Sequence, residues 1–147
     1  MGEREMTIAK VIAGRDRQIF SCQASATVEE AARILSERRI GALPVFEGGG
    51  LVGIFSERDL LHSVAKNGAP ALIRRVSEVM TAPAITVSPD TGVLDALALM
   101  TKRRIRHLPV ESDAAVVGFV SIGDLVKYRI ELAEAEAEQM REYIQTA

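Results

Sequence analysis

Arg38-Arg39-Ile40-Gly41-Ala42-Leu43-Pro44-Val45 returns, at a constant offset of 65 positions, as Arg103-Arg104-Ile105-Arg106-His107-Leu108-Pro109-Val110. The correspondence extends without insertion or deletion from residues 25–64 to residues 90–129. Outside the quoted run, Val28, Ala31, Val52, Gly53, Ser56, Asp59 and Leu60 recur as Val93, Ala96, Val117, Gly118, Ser121, Asp124 and Leu125. Identity at about a third of the aligned positions, in one gap-free register, marks an internal duplication. Two copies of one unit predict a module with pseudo-twofold symmetry. Polar residues repeated beside strand ends predict paired clefts.

Each copy reads as helix, strand, strand, helix. Thr27-Val28-Glu29-Glu30 has the form of a capping box, and Ala31, Ile34 and Leu35 follow at helical spacing. In the second copy Val93, Leu94, Leu97 and Met100 continue that face, with Thr91 expected as the cap because Gly92 stands in the place of Thr27. The repeated arginine pairs close these helices, where cations meet the negative end of the helix dipole. Short β-rich runs at 42–46 and 107–111 then pair, through turns at 47–50 and 112–115, with runs at 51–55 and 116–120. Helix resumes after Ser56 and Ser121. A lead-in strand is expected at 18–22 and another at 84–87, the latter bracketed by Pro83 and Pro89, and a loop at 65–70.

The expected fold is therefore α+β, with two β-α-β-β-α repeats packed about a pseudo-twofold axis and a long C-terminal helix. Its boundaries are 7–64 for the first repeat with its N-terminal lead-in, 73–130 for the second repeat and 131–147 for the helical extension. From Asp124 to Ile144 there is no Gly or Pro, and Ala and Glu dominate, which favours helix. Val126, Ile130, Ala133, Ala137, Met140 and Ile144 recur along it at heptad-like spacing. That seam packs on its own domain, pairs two subunits, or belongs to a free solvated tail.

Composition narrows the functional classes. The chain is 48% apolar and 26% charged, an ordinary globular balance, and its 147 residues can bury one core or two small half-domains. No apolar run approaches the roughly 20 residues needed to span a bilayer, and the charged N-terminus leads into no signal-like stretch. A net charge of −2 and the absence of Trp provide neither the electrostatic footprint nor the stacking platform of a nucleic-acid binder. The single Cys22 cannot form an intrachain disulfide; it reads as a small buried strand residue and fits a reducing cytoplasm.

Gly48-Gly49-Gly50-Leu51-Val52-Gly53 matches a dinucleotide-binding fingerprint letter for letter. It lies between two strands instead of opening a helix, so it reads as a hairpin turn. Ser56-Glu57-Arg58-Asp59 and Ser121-Ile122-Gly123-Asp124 carry more information, because both stand where a strand gives way to a helix. Each can serve purely as a helix cap. An ionised Asp in that place can also accept hydrogen bonds from the vicinal hydroxyls of a ribose, with phosphate farther off near a hydroxyl or a cation. Arg106-His107 breaks the symmetry, since Gly41-Ala42 occupies the same positions in the first copy. Arg106 can grip phosphate and His107 can add a hydrogen bond, or the pair can be an exposed basic helix end. His62 reads as a helix-surface residue. No nucleophile–base set, P-loop or metal-ligand cluster is present, and no enzyme is expected.

The two Leu-Pro-Val strands, the endings Gly53-x-x-Ser56-x-x-Asp59 and Gly118-x-x-Ser121-x-x-Asp124, and the Val79-Met80-Thr81 lead-in together resemble the CBS-domain family. The resemblance is to its tandem form, the Bateman module, of the stand-alone bacterial type, and it covers nearly all of residues 7–130. It implies two clefts that take adenosine-containing ligands (AMP, ADP, ATP, NAD or S-adenosylmethionine) and assembly into a homodimer. It implies that Asp59 and Asp124 hold ribose hydroxyls while Ser56, Ser121 and Gly123 line the phosphate approach. It groups Asp59 with Thr81, Ala84, Ile85, Arg106, His107 and Leu108, and Asp124 with Ile19, Phe20, Gly41, Ala42 and Leu43.

The two clefts are expected to bind unequally, because Arg58 stands where the second copy has Gly123 and Gly41-Ala42 lacks the basic pair Arg106-His107, on whose side phosphate is expected. The function implied is a cytoplasmic energy or redox sensor that binds an adenine nucleotide and signals to an effector protein. The alternative is a ligand-free structural or oligomerisation protein. Neither reading calls for a catalytic cofactor, a nucleic acid or a membrane.

Overall fold

The two hairpins show the duplication most directly. In the computed structural model, which describes residues 6–13 and 18–146, strand β2 (Ala42–Glu47) runs antiparallel to β3 (Gly50–Ser56), with Ala42 opposite Ser56. Strands β4 (His107–Ser112) and β5 (Ala115–Ser121) repeat the arrangement, with His107 opposite Ser121. The register slips at equivalent places, Val45/Phe46 and Val110/Glu111. Both turns need positive φ at two central residues, a geometry that matches the twist of the flanking strands. Gly48 and Gly49 adopt 57° and 81°, and Asp113 and Ala114 adopt 52° and 64°. The glycine run is thus a hairpin turn, as its place between strands implies. The charged N-terminal run at 1–5 lies outside the described residues.

The lead-in strands are shorter than expected. The first is β1 (Cys22–Gln23), parallel to β2 with Cys22 opposite Val45. The second makes only a single bridge, Val87 with Val110, so one sheet has three strands and the other two. In the first copy the ladder continues through the Ala24 N–H to the Phe46 carbonyl at 2.8 Å. The residue equivalent to Ala24 is Pro89, which has no N–H to donate, so the second ladder stops.

Helix α1 (Ile8–Ala13) precedes β1, and α2 (Val28–Arg38) follows it. The expected capping box of α2 is present: Glu30 N–H donates to Thr27 Oγ1 at 3.1 Å, and Thr27 N–H to Glu30 Oε2 at 3.1 Å. After β3 come α3 (Glu57–Asn67), a 3-10 turn (Ala69–Ile73) and α4 (Val76–Val79), followed by α5 (Val93–Arg103) before β4. Most of the loop expected at 65–70 is therefore helical, with the break at Gly68. Thr91 is not the cap of α5. Gly92 holds that position without a side-chain bond, and the Thr91 hydroxyl instead accepts from Ser88 N–H at 3.1 Å in the preceding turn.

Each repeat has its own core. Val28, Ala31, Leu35, Leu43, Val45 and Phe55 close the first, and Val93, Ala96, Met100, Leu108, Val110 and Val120 the second. The short lead-in helices are exchanged between them. Ile8 and Val11 of α1 pack in the second core, while Val76 of α4 packs in the first. Matching backbone bonds hold both exchanges: Ile8 N–H to Thr91 O and Val76 N–H to Ala26 O, each 2.8 Å. The N-terminal lead-in, counted with the first repeat from the sequence, thus packs on the second.

The last element, α6 (Ile122–Thr146), buries Leu125 and leaves the rest of its length exposed or half-exposed. Its seam is not covered by its own domain, with Ile130 at 53% and Ile144 at 69% exposure. No helix among the described residues is long and apolar enough to cross a membrane.

Candidate functional site

Two cavities lie where the hairpins of the two repeats meet. The first, of about 220 Å³, is bordered by the β3–α3 junction (Ser56, Glu57, Arg58, Asp59), the segment Thr81, Pro83, Ala84 and Ile85, and Arg104, Arg106 and His107 of the second repeat. Gly53 explains how the middle segment reaches its place. A Cβ there would stand 2.8 Å from the Thr81 carbonyl oxygen and 2.8 Å from Met80 Sδ. Without one, Thr81 docks beside β3 through reciprocal backbone bonds with Ile54, both 2.9 Å.

Asp59 works first as a helix cap. Its Oδ2 accepts from Ser56 N–H at 2.9 Å and from Ser56 Oγ at 3.1 Å, and its own N–H donates to Ser56 Oγ at 3.3 Å. The Thr81 hydroxyl donates to Oδ1 at 3.0 Å across the cavity wall. A carboxylate offers about four acceptor positions, so this one retains capacity for a further hydroxyl while it caps the helix. The cap and ligand readings of Ser-x-x-Asp are compatible. Beside it, Arg58 Nη1 donates to the carbonyl of Arg104 at 3.1 Å and bridges the two repeats.

The second cavity is wider, about 750 Å³, and is bordered by Gln18, Ile19, Phe20, Arg38, Arg39, Gly41 and Ala42 of the first repeat and Phe119, Ser121 and Asp124 of the second. Asp124 caps α6 as Asp59 caps α3: Ser121 N–H donates to its Oδ2 at 2.8 Å, and its N–H donates to Ser121 Oγ at 3.1 Å. The Arg38 guanidinium lies 4.5 Å over the Phe20 ring, an arrangement that holds its charge at the cavity rim.

Gly41 and His107 border both cavities. A Cβ on Gly41 would stand 3.2 Å from His107 Cε1 and 3.3 Å from Nε2. On its other side the imidazole stacks on Phe119, centroid to centroid 5.7 Å at 12°. The mismatch between Gly41-Ala42 and Arg106-His107 is thus reciprocal packing: a ring from one copy fills the space that the other leaves. His107 is no exposed helix end, since it opens β4. Burial lowers its pKa below the usual imidazole value; Asp124 and Glu57 oppose that shift and Arg106 adds to it. The ring is a neutral partition at pH 7.

The expected groups largely assemble. Ser56, Asp59, Thr81, Ala84, Ile85, Arg106 and His107 share the first cavity, and Ile19, Phe20, Gly41, Ala42, Ser121 and Asp124 the second. Leu43 and Leu108 do not join them, for both have no exposed surface and lie in the two cores. Successive strand residues face opposite sides, so when Ala42 and His107 point into a cavity the next residue points away. Gly123 borders neither cavity. Arg104 and Arg39 were missed as wall residues. Both end a helix at positive φ, 55° and 53°, a turn that brings them back to the cavities. Their recurrence in the duplicated Arg-Arg pair was the available signal. Cys22 is a buried strand residue whose thiol pKa burial raises to about 11.

Fold and cavities together define a class, a duplicated α+β module with two sites at the junction of its halves. The model of the CBS domain matches residues 14–66 and again 76–131, and the chain belongs to the CBS-domain family as a tandem pair. It is 38% identical over 129 residues to the mitochondrial CBS domain-containing protein CBSX3 of Arabidopsis thaliana. That alignment covers 84% of this chain and 63% of the relative, so the chain spans less than two thirds of that protein.

Solved structures agree on the architecture. A CBS-domain containing protein from Agrobacterium tumefaciens superposes with a TM-score of 0.80 at 34% identity, covering 84% of this chain and 92% of that one. The CBS domain pair of protein MJ0100, in complex with 5′-methylthioadenosine and S-adenosyl-L-methionine, gives 0.73 at 27% identity over 83% and 94% of the two chains. CBSX2 in complex with AMP gives 0.72 at 25% identity over 86% and 98%.

Proposed function

We propose that this protein is a regulatory module that binds an adenosine-containing ligand in each of its two cavities and transmits occupancy to an effector protein. The observation that carries the reading is the pair Asp59–Thr81. A half-buried carboxylate with spare acceptor capacity faces a cavity that also holds arginines, which is the polarity a ribose and its phosphate require. Ser56, Ala84, Ile85, Arg106 and His107 complete that site, and Ser121, Asp124, Ile19, Phe20, Gly41 and Ala42 form the second. The structures of related proteins in complex with AMP and with S-adenosyl-L-methionine support the ligand class. ADP, ATP and NAD share the adenosine group, so an energy or redox signal is the natural input.

The role is regulatory and not catalytic. The exposed seam of α6 suits a homodimer in which two such helices pair. The lone buried Cys22 suits a cytoplasmic setting. Ligand shifts the module between states only by its different affinity for them.

Thermal shift against AMP, ADP, ATP, NAD and S-adenosylmethionine tests the reading. A ligand at 100 times its Kd stabilises the fold by about 2.7 kcal/mol, which appears as a raised melting temperature. A melting temperature that none of the five raises assigns the chain to the ligand-free structural class.

A further inference from the structure

We infer that α6 pairs with the same helix of a second copy in parallel and in register, and that the charges beside its exposed seam dictate that direction. The inference rests on the homodimer proposed for this module and fixes its orientation. Helix α6 carries two apolar stripes. Leu125, Tyr128 and Leu132 turn toward their own repeat: Leu125 has no exposed surface, Tyr128 packs against the second core and Leu132 is half-buried. The other stripe, Val126, Ile130, Ala133, Ala137, Met140 and Ile144, lies about a third of a turn around the helix and is exposed at every position. The inner stripe stops at Leu132, whereas the outer one runs on for about three more turns. Its alternating spacing of four and three is that of a two-stranded coiled coil, with Ile130, Ala137 and Ile144 in one core position and Val126, Ala133 and Met140 in the other.

In such a pair the residues flanking the seam meet across it and set the orientation. Lys127, Glu134 and Arg141 stand on one flank, Arg129, Glu136 and Tyr143 on the other. Parallel helices in register bring Arg129 to Glu134 of the partner subunit and Glu136 to Arg141 of the partner subunit, each contact occurring twice by symmetry. Every one of these contacts is between opposite charges. Within its own helix Arg141 pairs with Glu138 at 3.2 Å, an exposed bond weak enough to yield. Antiparallel helices that cover the same seam set like against like: Glu134 meets its own copy, Glu136 does the same, and Lys127 meets Arg141 of the partner subunit. Sliding them by one heptad relieves the repulsion but uncovers either Val126 and Ile130 or Met140 and Ile144. The parallel pair alone satisfies both the seam and its flanks. Each α6 is rooted in the Ser121–Asp124 cap on the wall of the second cavity, so this pairing places the second cavities of both copies at the same end of the dimer.

Sedimentation of the full chain, with disulfide trapping, tests the direction. Cys22→Ala removes the one native thiol, and new cysteines are then placed on the seam. Under mild oxidation Met140→Cys should link to itself, because helices in register set the two thiols face to face. An equal mixture of Ile130→Cys and Met140→Cys chains should form same-site disulfides and few mixed ones, whereas antiparallel pairing gives the mixed product. In the otherwise wild-type chain, Arg129→Glu should weaken the dimer roughly tenfold by facing Glu134 of the partner subunit, and Glu134→Arg added to it should restore the wild-type dissociation constant. Mixed disulfides in excess, or a dimer indifferent to Arg129→Glu, overturn the parallel pairing and leave the homodimer and adenosine readings intact. A chain that stays monomeric at every concentration overturns the pairing and the homodimer together.

Discussion

Ala114 holds a left-handed backbone conformation, φ 64°, that its Cβ disfavours, while the equivalent Gly49 adopts 81° without that cost. The hairpin is imposed by strand pairing on both sides, so the sequence Asp113-Ala114 tolerates what Gly48-Gly49 accommodates freely. Ala114→Gly creates the Asp-Gly pair that such turns prefer and should stabilise the protein by about 0.5–1 kcal/mol, read as a higher urea midpoint. His107 makes a second prediction at this scale. Burial depresses its folded pKa below the usual imidazole value of 6.5. As pH falls through that value the unfolded chain takes up a proton that the folded one refuses, so stability present above it declines toward the folded pKa. Urea midpoints at pH 7.5 and 5.5 should therefore drop more in the wild type than in His107→Ala, whose side chain is that of Ala42 in the other copy. Equal drops would show that the imidazole is protonated as easily in the fold as outside it.

Among the elements, those fixed by local pattern were legible in advance and those fixed by contacts between copies were not. The hairpins follow from alternating apolar runs and their turns, and α2 from its Thr27–Glu30 box. The second lead-in failed as a strand for a reason already written in the chain, the missing donor of Pro89, but visible only once Ala24 and Phe46 had shown which rung it would have made. The exchange of α1 left no periodic trace, because a helix of six residues carries only two buried positions, Ile8 and Val11. Its energetics can be tested. Ile8 is fully buried in the core of the second repeat, although it lies at the opposite end of the sequence. Ile8→Ala should cost about 2–5 kcal/mol, the range for emptying a packed core position, despite the shortness of its helix. A loss under about 0.5 kcal/mol, the scale of ordinary surface substitutions, would mean that α1 contributes little to that core.

At the level of the whole molecule, the two cavities are separate in their carboxylates and joined in one partition. The duplication announced two equivalent sites, while the grouping of residues at each came from the resemblance to CBS-domain pairs, which sets one copy's Ser-x-x-Asp against the other copy's lead-in segment. The partition was not readable, because Gly41 and His107 occupy non-equivalent positions and meet only when the copies are docked. A Cβ added to Gly41 would stand only 3.2 Å from the ring, so each position is sensitive to the other. Gly41→Ala forces the imidazole to shift by a few tenths of an ångström against Phe119, and that ring faces both sites. Asp59→Ala and Asp124→Ala, by contrast, each remove a carboxylate from a single cavity. Methyl NMR of isoleucines separates the sites, since Ile54 and Ile85 border only the first cavity and Ile19 and Ile40 only the second. With an adenosine ligand followed in this way, Asp59→Ala should weaken binding at the first site roughly tenfold or more and leave the second within about twofold, and Asp124→Ala should do the reverse. Gly41→Ala should alter both sites together. If it alters only one, the imidazole yields toward a single side and the cavities bind as independent sites.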